Sequence, residues 1–246
     1  MNADSITSIS NGFKEKSVLS KSELLHWLHR VYPAASDKTL SWRISDLKSQ
    51  GILESPGRGI FRLSKAKPFK PPFGTVTKRI ASLLKRDLPL IRYCIWETRW
   101  VSSWMNLQPA AVWIILEVEK EMLESVFYRL KDCFKNVFLD PDRKTTTLYL
   151  LHLNEAIIIK PLLSESPTLT IGDIQTALPE KILVDLIAEP QLFQAQQGEI
   201  EEIFATAFQA LPINQSKLLR YAARRRKRSE VEHLIPIKQR LQRTDK

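Results

Sequence analysis

Apolar positions recur at helical spacing in the first part of the chain and at strand spacing in the middle. LSKSELLHWLHRVYP opens with Ser20 and Glu23 three residues apart, a capping-box pattern, and carries Leu24, Leu25, Leu28 and Val31 on one helical face. This predicts a helix that stops before Pro33. Ser36 is placed as the N-cap of a second helix, in which Leu40, Ile44 and Leu47 recur at i, i+4 and i+7, and Gly51 stands where a left-handed cap belongs. ILE, then SPGRG, then IFRL read as two short strands joined by a Pro/Gly turn. Helix, helix, hairpin is the order of a winged helix-turn-helix, which is expected over residues 1–64.

KAKPFKPPFG, residues 65–74, combines prolines with lysines and suits an extended linker. Beyond it TVTKRIASLLKRD predicts a helix, LIRYCIWE a buried strand, TRWVSSWMNL a short helix and AAVWIILEVE a second strand. EKEMLESVFYRLKDCFKN sets Met122, Val126, Leu130 and Phe134 on one stripe with charges opposite, a clear amphipathic helix. NVFL, TLYLL and EAIIIK read as strands, TLYLLHL being readable as helix too. From Thr170 onward the pattern turns helical, through GDIQTALPEKILVDLIAEPQLF, EIEEIFATAFQAL and NQSKLLRYAARRRKRSEVEHLI. The fold class expected is α+β: a winged helix-turn-helix over 1–64, a linker over 65–74, and a mixed α/β domain over 75–246 that ends in a basic helix.

Charge changes this picture by pointing to a partner. Residues 1–73 carry 12 basic and 6 acidic side chains (+6), 74–160 carry 13 and 10 (+3), 161–215 carry 1 and 8 (−7), and 216–246 carry 11 and 3 (+8). Cations gathered at the two ends are what a polyanion-binding surface needs, since neutralised phosphates release counterions. No apolar run spans a bilayer and the N-terminus has no signal-peptide pattern, so a cytoplasmic protein with no membrane partner is expected. Cys94 and Cys133 lie in apolar runs and read as reduced, buried thiols. His26 and His29 sit near each other without further ligands, and His152 and His233 are scattered; neither a metal site nor a cofactor is expected.

On a helical wheel the second helix points Leu40, Ile44 and Leu47 inward and sets Lys38, Trp42, Ser45 and Ser49 opposite, flanked by Thr39, Ser41 and Arg43. The N-terminal residues of a recognition helix lie nearest the base edges, which selects Lys38, Thr39 and Trp42, then Ser41 and Ser45. Arg43 is closer to the buried stripe and is assigned to a phosphate. Arg58, at the hairpin tip, is assigned to the backbone or minor groove. Trp42 either reads DNA or packs under the wing. Near the C-terminus Lys217, Arg220, Arg224 and Lys227 form a basic stripe widened by Arg225, Arg226 and Arg228. Three readings stand for it: nucleic acid, contact with the acidic segment 161–215, or solvent.

With IWETRWVSSWM, LEVEKEMLESVFYRLKDCFKNVFLDP, EAIIIKPL, LPEKILVDL and INQSKLLRYAARRRKR, the chain resembles the AbiEi-like antitoxins of bacterial type IV toxin-antitoxin systems. The resemblance implies an N-terminal winged helix that represses its own operon at inverted repeats of double-stranded operator DNA. It further implies a C-terminal domain that opposes a nucleotidyltransferase-like toxin, generally without a stable complex, and palindromic operators would place two copies of the chain on DNA. The protein so read is no enzyme. The alternative is a metal-dependent nuclease with a restriction-enzyme-like core, for which Asp142-Arg143-Lys144 supplies a short acidic-x-Lys triplet and Glu97 or Glu117 a partner carboxylate.

Overall fold

Ser20 begins the first helix in the way its spacing predicts. Its hydroxyl accepts from the Glu23 backbone N–H at 3.2 Å, and the Glu23 carboxylate accepts from the Ser20 N–H at 2.8 Å. The structure, a computed structural model, describes residues 13, 16–49, 52–64 and 69–236. They divide into two compact units. One holds the described residues up to Phe69 together with Ala210–Asn214, and the other holds Lys70–Gln209 and the described residues from Gln215 on. Residues 65–68 of the expected linker and the Gly51 cap lie outside the described residues.

In the first unit α1 (Lys21–Val31) and α2 (Asp37–Ser49) are followed by β2 (Leu53–Gly57) and β3 (Ile60–Leu63). Ser36 caps α2 by accepting from Thr39 N–H at 3.3 Å. The short strand β1 (Leu19–Ser20) completes an antiparallel three-stranded sheet in the order β1-β3-β2. Gly59 turns the hairpin at φ +73°, a left-handed conformation that glycine adopts without a Cβ penalty. The Ser55 hydroxyl donates to the Gly57 and Ile60 carbonyls across that turn. Leu24, Leu28, Leu40, Ile44, Leu47, Leu53 and Phe61 pack into one core.

The second unit is built on a six-stranded mixed sheet in the order β6-β7-β5-β4-β9-β8. Its strands are β4 (Tyr93–Glu97), β5 (Val112–Val118), β6 (Val137–Leu139), β7 (Glu155–Pro161), β8 (Thr168–Ile171) and β9 (Ile174–Ala177). β4 and β5 pair antiparallel, while β5 with β7, β6 with β7 and β4 with β9 are parallel. One face carries Ile95, Ile114, Leu116, Ile157 and Ile159 against Ile80 and Leu84 of α3 (Thr75–Asp87) and Val126 and Leu130 of α5 (Leu123–Lys131). The opposite face, which by register holds Cys94, Trp96, Ile115 and Glu117, lies under α7 (Pro179–Ala188) and the Phe193 ring, 5.5 Å from that of Trp96. Burial on both faces explains the unbroken apolar runs VWIIL and AIII. Between β4 and β5 lies α4 (Arg99–Ser102). The chain is therefore of mixed α+β class. Among the described residues no helix is long and apolar enough to cross a membrane.

Four expectations are corrected. TLYLL is not a strand: α6 (Arg143–Leu148) and a 3-10 turn over Leu150–His152 occupy it, and Asp142 caps α6 by accepting from Thr145 N–H at 2.7 Å. The segment from Thr170 does not turn helical at once, since β8 and β9 form a hairpin around Gly172, at φ +60°, and Asp173. The basic C-terminal helix is two helices, α10 (Gln215–Arg224) and α11 (Arg228–Leu234), separated where Arg226 takes a left-handed φ of 56°. Cys94 is buried as expected, but Cys133 is exposed because it follows the end of α5. Between α7 and α10 the chain forms α8 (Gln194–Gln197) and α9 (Ile200–Ala210).

Leu40 and Trp42 stand two residues apart on α2 with opposite surroundings, 0% and 67% exposed. Leu40→Ala is expected to lower the unfolding free energy by about 2–5 kcal/mol in urea titration, and Trp42→Ala by less than about 0.5 kcal/mol. A comparable loss at both positions would mean that Trp42 is a packing residue.

Candidate nucleic-acid interface

In the first unit the outward face of α2 is open. Lys38, Thr39, Trp42 and Ser45 are exposed and Ser41 is half-buried; the Ser49 side chain lies outside the described residues. At 67% exposure Trp42 is not covered by the hairpin, which removes the packing alternative. The Thr39 hydroxyl lies 3.0 Å from that of Ser36, so it takes part in the cap as well as facing outward. Arg43 is half-buried, with its guanidinium 4.2 Å from the centroid of the Tyr32 ring and a buried Nε without a hydrogen-bond partner. The stacked planar group is held in place, away from the Lys38 and Trp42 face. Arg58 is exposed at the hairpin turn. His29 Nε2 lies 2.5 Å from the Asp37 carboxylate, and His26 is exposed.

The basic residues of the second unit separate by environment. Leu218, Leu219 and Tyr221 face inward from α10, while Arg220 and Arg224 are exposed. Arg220 lies 4.0 Å from Glu165, and Arg224 donates to the Ser164 hydroxyl at 2.6 Å. Arg225 is turned in: it bonds Glu189 at 2.7 Å and lies 3.8 Å from Asp185. Arg226 is exposed, Lys227 pairs with Glu230 at 2.8 Å, and Arg228 lies 4.0 Å from Glu232. The single stripe through Lys217 and Lys227 does not form, because α10 ends at Arg224. Contact with the acidic segment is the arrangement of Arg225.

The carboxylates that a nuclease would need are not brought together. Glu97 and Glu117 stand on neighbouring strands, but Glu97 faces Ile114 in register and Glu117 faces Cys94, so they project from opposite faces of the sheet. Glu97 is fully buried, accepts from Gly74 N–H and the Thr77 hydroxyl, each at 2.7 Å, and pairs with Arg99. A Cβ at position 74 would meet the Arg99 and Glu97 side chains at 3.1–3.3 Å. Asp142 is committed to its helix cap, and the Thr145 backbone bond holds its carboxyl below the ordinary range. Among the described residues no three His, Cys, Asp or Glu side chains are grouped to hold a metal ion.

A set of buried charges beneath α7 was not foreseen. Lys181 is 0% exposed and bonds Glu117 at 2.5 Å and Asp185 one helical turn along. Tyr221 donates its phenol hydrogen to Asp185 at 2.9 Å. Glu189, a further turn on, receives Arg225 on one oxygen and Lys160 on the other, at 2.7 and 2.8 Å, and Lys160 also reaches Asp140 at 2.8 Å. Glu117 and Lys160 are register partners on adjacent strands, so they share this face.

The charges inside the network are not balanced locally. Burial alone would depress the Lys181 ammonium, but Asp185 and Glu117 outweigh it and raise its pKa well above the ordinary value. Glu117 is pushed up to about 7, chiefly by burial, with Lys181 only partly offsetting it and Asp185 adding to it. One Glu117 oxygen is buried without a hydrogen-bond partner, so the Lys181 contact on the other oxygen is left to offset the burial of its charge. Burial likewise raises the Tyr221 phenol and the Cys94 thiol.

Because the Glu117 carboxyl sits near 7 rather than 4.5, the folded state holds its proton more tightly than the unfolded chain. Its contribution to stability therefore falls as pH rises from about 4.5 to about 7 and is level above that. Glu117→Gln is expected to flatten this part of the urea-unfolding profile, and a slope equal to that of the parent protein would count against the assignment. Lys181→Met leaves two buried carboxylates without their cation and is expected to destabilise by about 3–5 kcal/mol at neutral pH in the same titration.

No curated protein matches the chain. Among solved structures, the crystal structure of the RV2827C protein from Mycobacterium tuberculosis is similar over 89% of this chain and 70% of that one, at 15% identity and a TM-score of 0.31. A family described as a family of unknown function, DUF6577, matches residues 39–240, which take in most of α2, the hairpin and the whole described sheet of the second unit. The chain belongs to this family, DUF6577.

Proposed function

We propose that the protein is a DNA-binding transcriptional autorepressor and antitoxin of a type IV toxin-antitoxin operon, opposing a nucleotidyltransferase-like toxin. In this reading residues 1–64 are a winged helix-turn-helix and α2 is its recognition helix. The observation that carries it is the outward face of α2, where an open tryptophan stands beside Lys38, Thr39 and Ser45 next to a hairpin tipped by Arg58. A large aromatic ring on a polar helix face is normally covered by a partner. A helix of this kind fits the major groove of B-DNA, with the residues of its first turns nearest the base edges.

Lys38, Thr39 and Trp42 are then the readers, Ser41 and Ser45 secondary contacts, and Arg58 a backbone or minor-groove contact. Arg43, stacked on Tyr32, acts on the DNA only through its position beside a phosphate. Arg220, Arg224, Arg226 and Arg228 supply further phosphate contacts from the second unit. The resemblance to AbiEi-like antitoxins supplies the operon and the toxin, and inverted repeats in the operator call for two copies of the chain.

The pair Lys38→Ala and Thr39→Ala is expected to weaken binding to DNA from upstream of the operon by about 1–3 kcal/mol for each base no longer read and to relax sequence preference. An electrophoretic shift titration that gives equal affinity for variant and parent would overturn the assignment of α2. Where a nucleotidyltransferase-like reading frame adjoins the gene, co-expression of the two is expected to restore growth that the toxin alone arrests. Growth arrest unchanged by this protein would remove the antitoxin role.

A further inference from the structure

The start of α2 carries a carboxylate in a place where a helix that meets DNA gains from cations. Asp37 is the first residue of α2, directly before Lys38, and its side chain is 78% exposed. A negative charge there suits the positive end of the helix dipole. It does not suit phosphates, whose potential extends about 8–10 Å at ordinary ionic strength, so a carboxylate in the first turn acts on them without touching them. One group is set against this charge. His29, in the last turn of α1, brings its Nε2 to 2.5 Å from the Asp37 carboxylate across the connection between the two helices.

A lysine in the place of His29 would cancel the charge at any ordinary pH. An imidazole cancels it only while protonated, and its charge changes between about pH 5 and pH 8. With His29 protonated the pair is neutral; with His29 neutral it carries one negative charge. The other charged groups of this unit do not take over that task. His26 and Arg30 are exposed on α1 and Lys38 on α2. Glu23 takes Lys16, Glu54 takes Arg62, Arg43 is stacked on Tyr32, and Lys48 lies over the Phe61 ring. Among the described residues no second cation stands within ion-pair distance of Asp37, and no second carboxylate within that distance of His29. The charge at the start of α2 therefore follows the protonation of His29.

We infer that the His29–Asp37 pair couples DNA binding by α2 to a proton, the duplex being held more tightly when His29 is protonated. The inference rests on the reading of α2 as the helix that meets DNA and adds a regulation of that face. The negative potential of the duplex favours the imidazolium, so complex formation takes up a proton. By linkage, affinity falls as pH rises through the imidazole range, and one proton limits the fall to about tenfold per pH unit.

The test is fluorescence anisotropy of the full chain with a labelled duplex from upstream of its gene, at fixed ionic strength, at about pH 6 and about pH 8. The parent protein is expected to bind about 2- to 5-fold more tightly at the lower pH, the scale of one exposed ion pair. His26, His152 and His233 carry the same ionisable group, so the measure is the part of the pH effect that His29→Gln removes. That variant is expected to match the parent at the higher pH and to bind about 2- to 5-fold more weakly than it at the lower. Asp37→Asn is expected to bind about 2- to 5-fold more tightly than the parent at the higher pH. His29→Gln with Asp37→Asn, a pair uncharged at both pH values, is expected to recover the affinity that His29→Gln alone loses.

A pair that served only to fix the angle between α1 and α2 would give weaker binding in Asp37→Asn and in the double variant, and that result would overturn the inference. So would a pH effect in His29→Gln equal to that of the parent, or an Asp37→Asn protein that binds no more tightly than the parent at the higher pH; both leave α2 as the helix that meets DNA. Absence of parent binding at either pH overturns the reading of α2 and this inference with it.

Discussion

Lys181 is the interaction on which the second unit depends. It is a cation with no exposure, held between Glu117 of β5 and Asp185 one turn along its own helix. A charge taken out of water is tolerated only when oppositely charged groups surround it closely, so strand and helix have one acceptable placement. A shift of α7 by a turn would leave Glu117 dry and unpaired. The same helix then dictates its neighbours: Asp185 positions Tyr221, and Glu189 positions Arg225, both on the segment that starts at Gln215. Through Lys160 the set reaches β7 and the loop after β6. One cation thus organises most of the polar contacts on that side of the sheet.

The other side is organised by apolar contacts and a buried carboxylate. Ile80, Leu84, Val126 and Leu130 fill the layer between the sheet and its helices. Glu97 closes the edge of that layer by receiving Gly74 and Thr77 at the start of α3. Gly74 has no side chain, which lets the Glu97 and Arg99 groups approach the backbone where α3 begins. The two glutamates that looked interchangeable as metal ligands serve opposite faces and separate tasks.

What could be read in the chain beforehand follows from which forces act locally. Ser20, Glu23 and Ser36 fix helix starts through bonds to residues three positions away, so their spacing is visible in the sequence. The stripe of Leu40, Ile44 and Leu47 and the polar face around Trp42 are likewise local. The hairpin around Gly172-Asp173 was missed because a helical pattern begins directly after it, although TLTIGDIQTA alternates about a Gly-Asp turn. The break at Arg226 carried no Gly or Pro signal. It is set by Arg225 turning toward Asp185 and Glu189, the latter 36 positions away. The network of Lys181 was not legible at all: its members come from β5, β7, α7 and α10, and a lysine inside KILVDL looks like any surface cation until the register brings Glu117 beneath it.

The parallel pairing of β4 with β9 has a consequence for how the chain is made. Thr176 donates its hydroxyl hydrogen to the Ile95 carbonyl across a separation of 81 residues. The core of the first unit, by contrast, uses residues between Phe13 and Phe61. At a synthesis rate of roughly 5 to 20 residues per second, β4 waits several seconds for its neighbour after it is made. During that interval the β4 edge of the β4–β5 pair is unpaired, the β5 edge is unpaired as well until β7 is made, and one apolar face lacks its cover. The nascent chain is therefore most exposed to wrong pairing in the middle of its synthesis, after its N-terminal core is complete and before its sheet is closed.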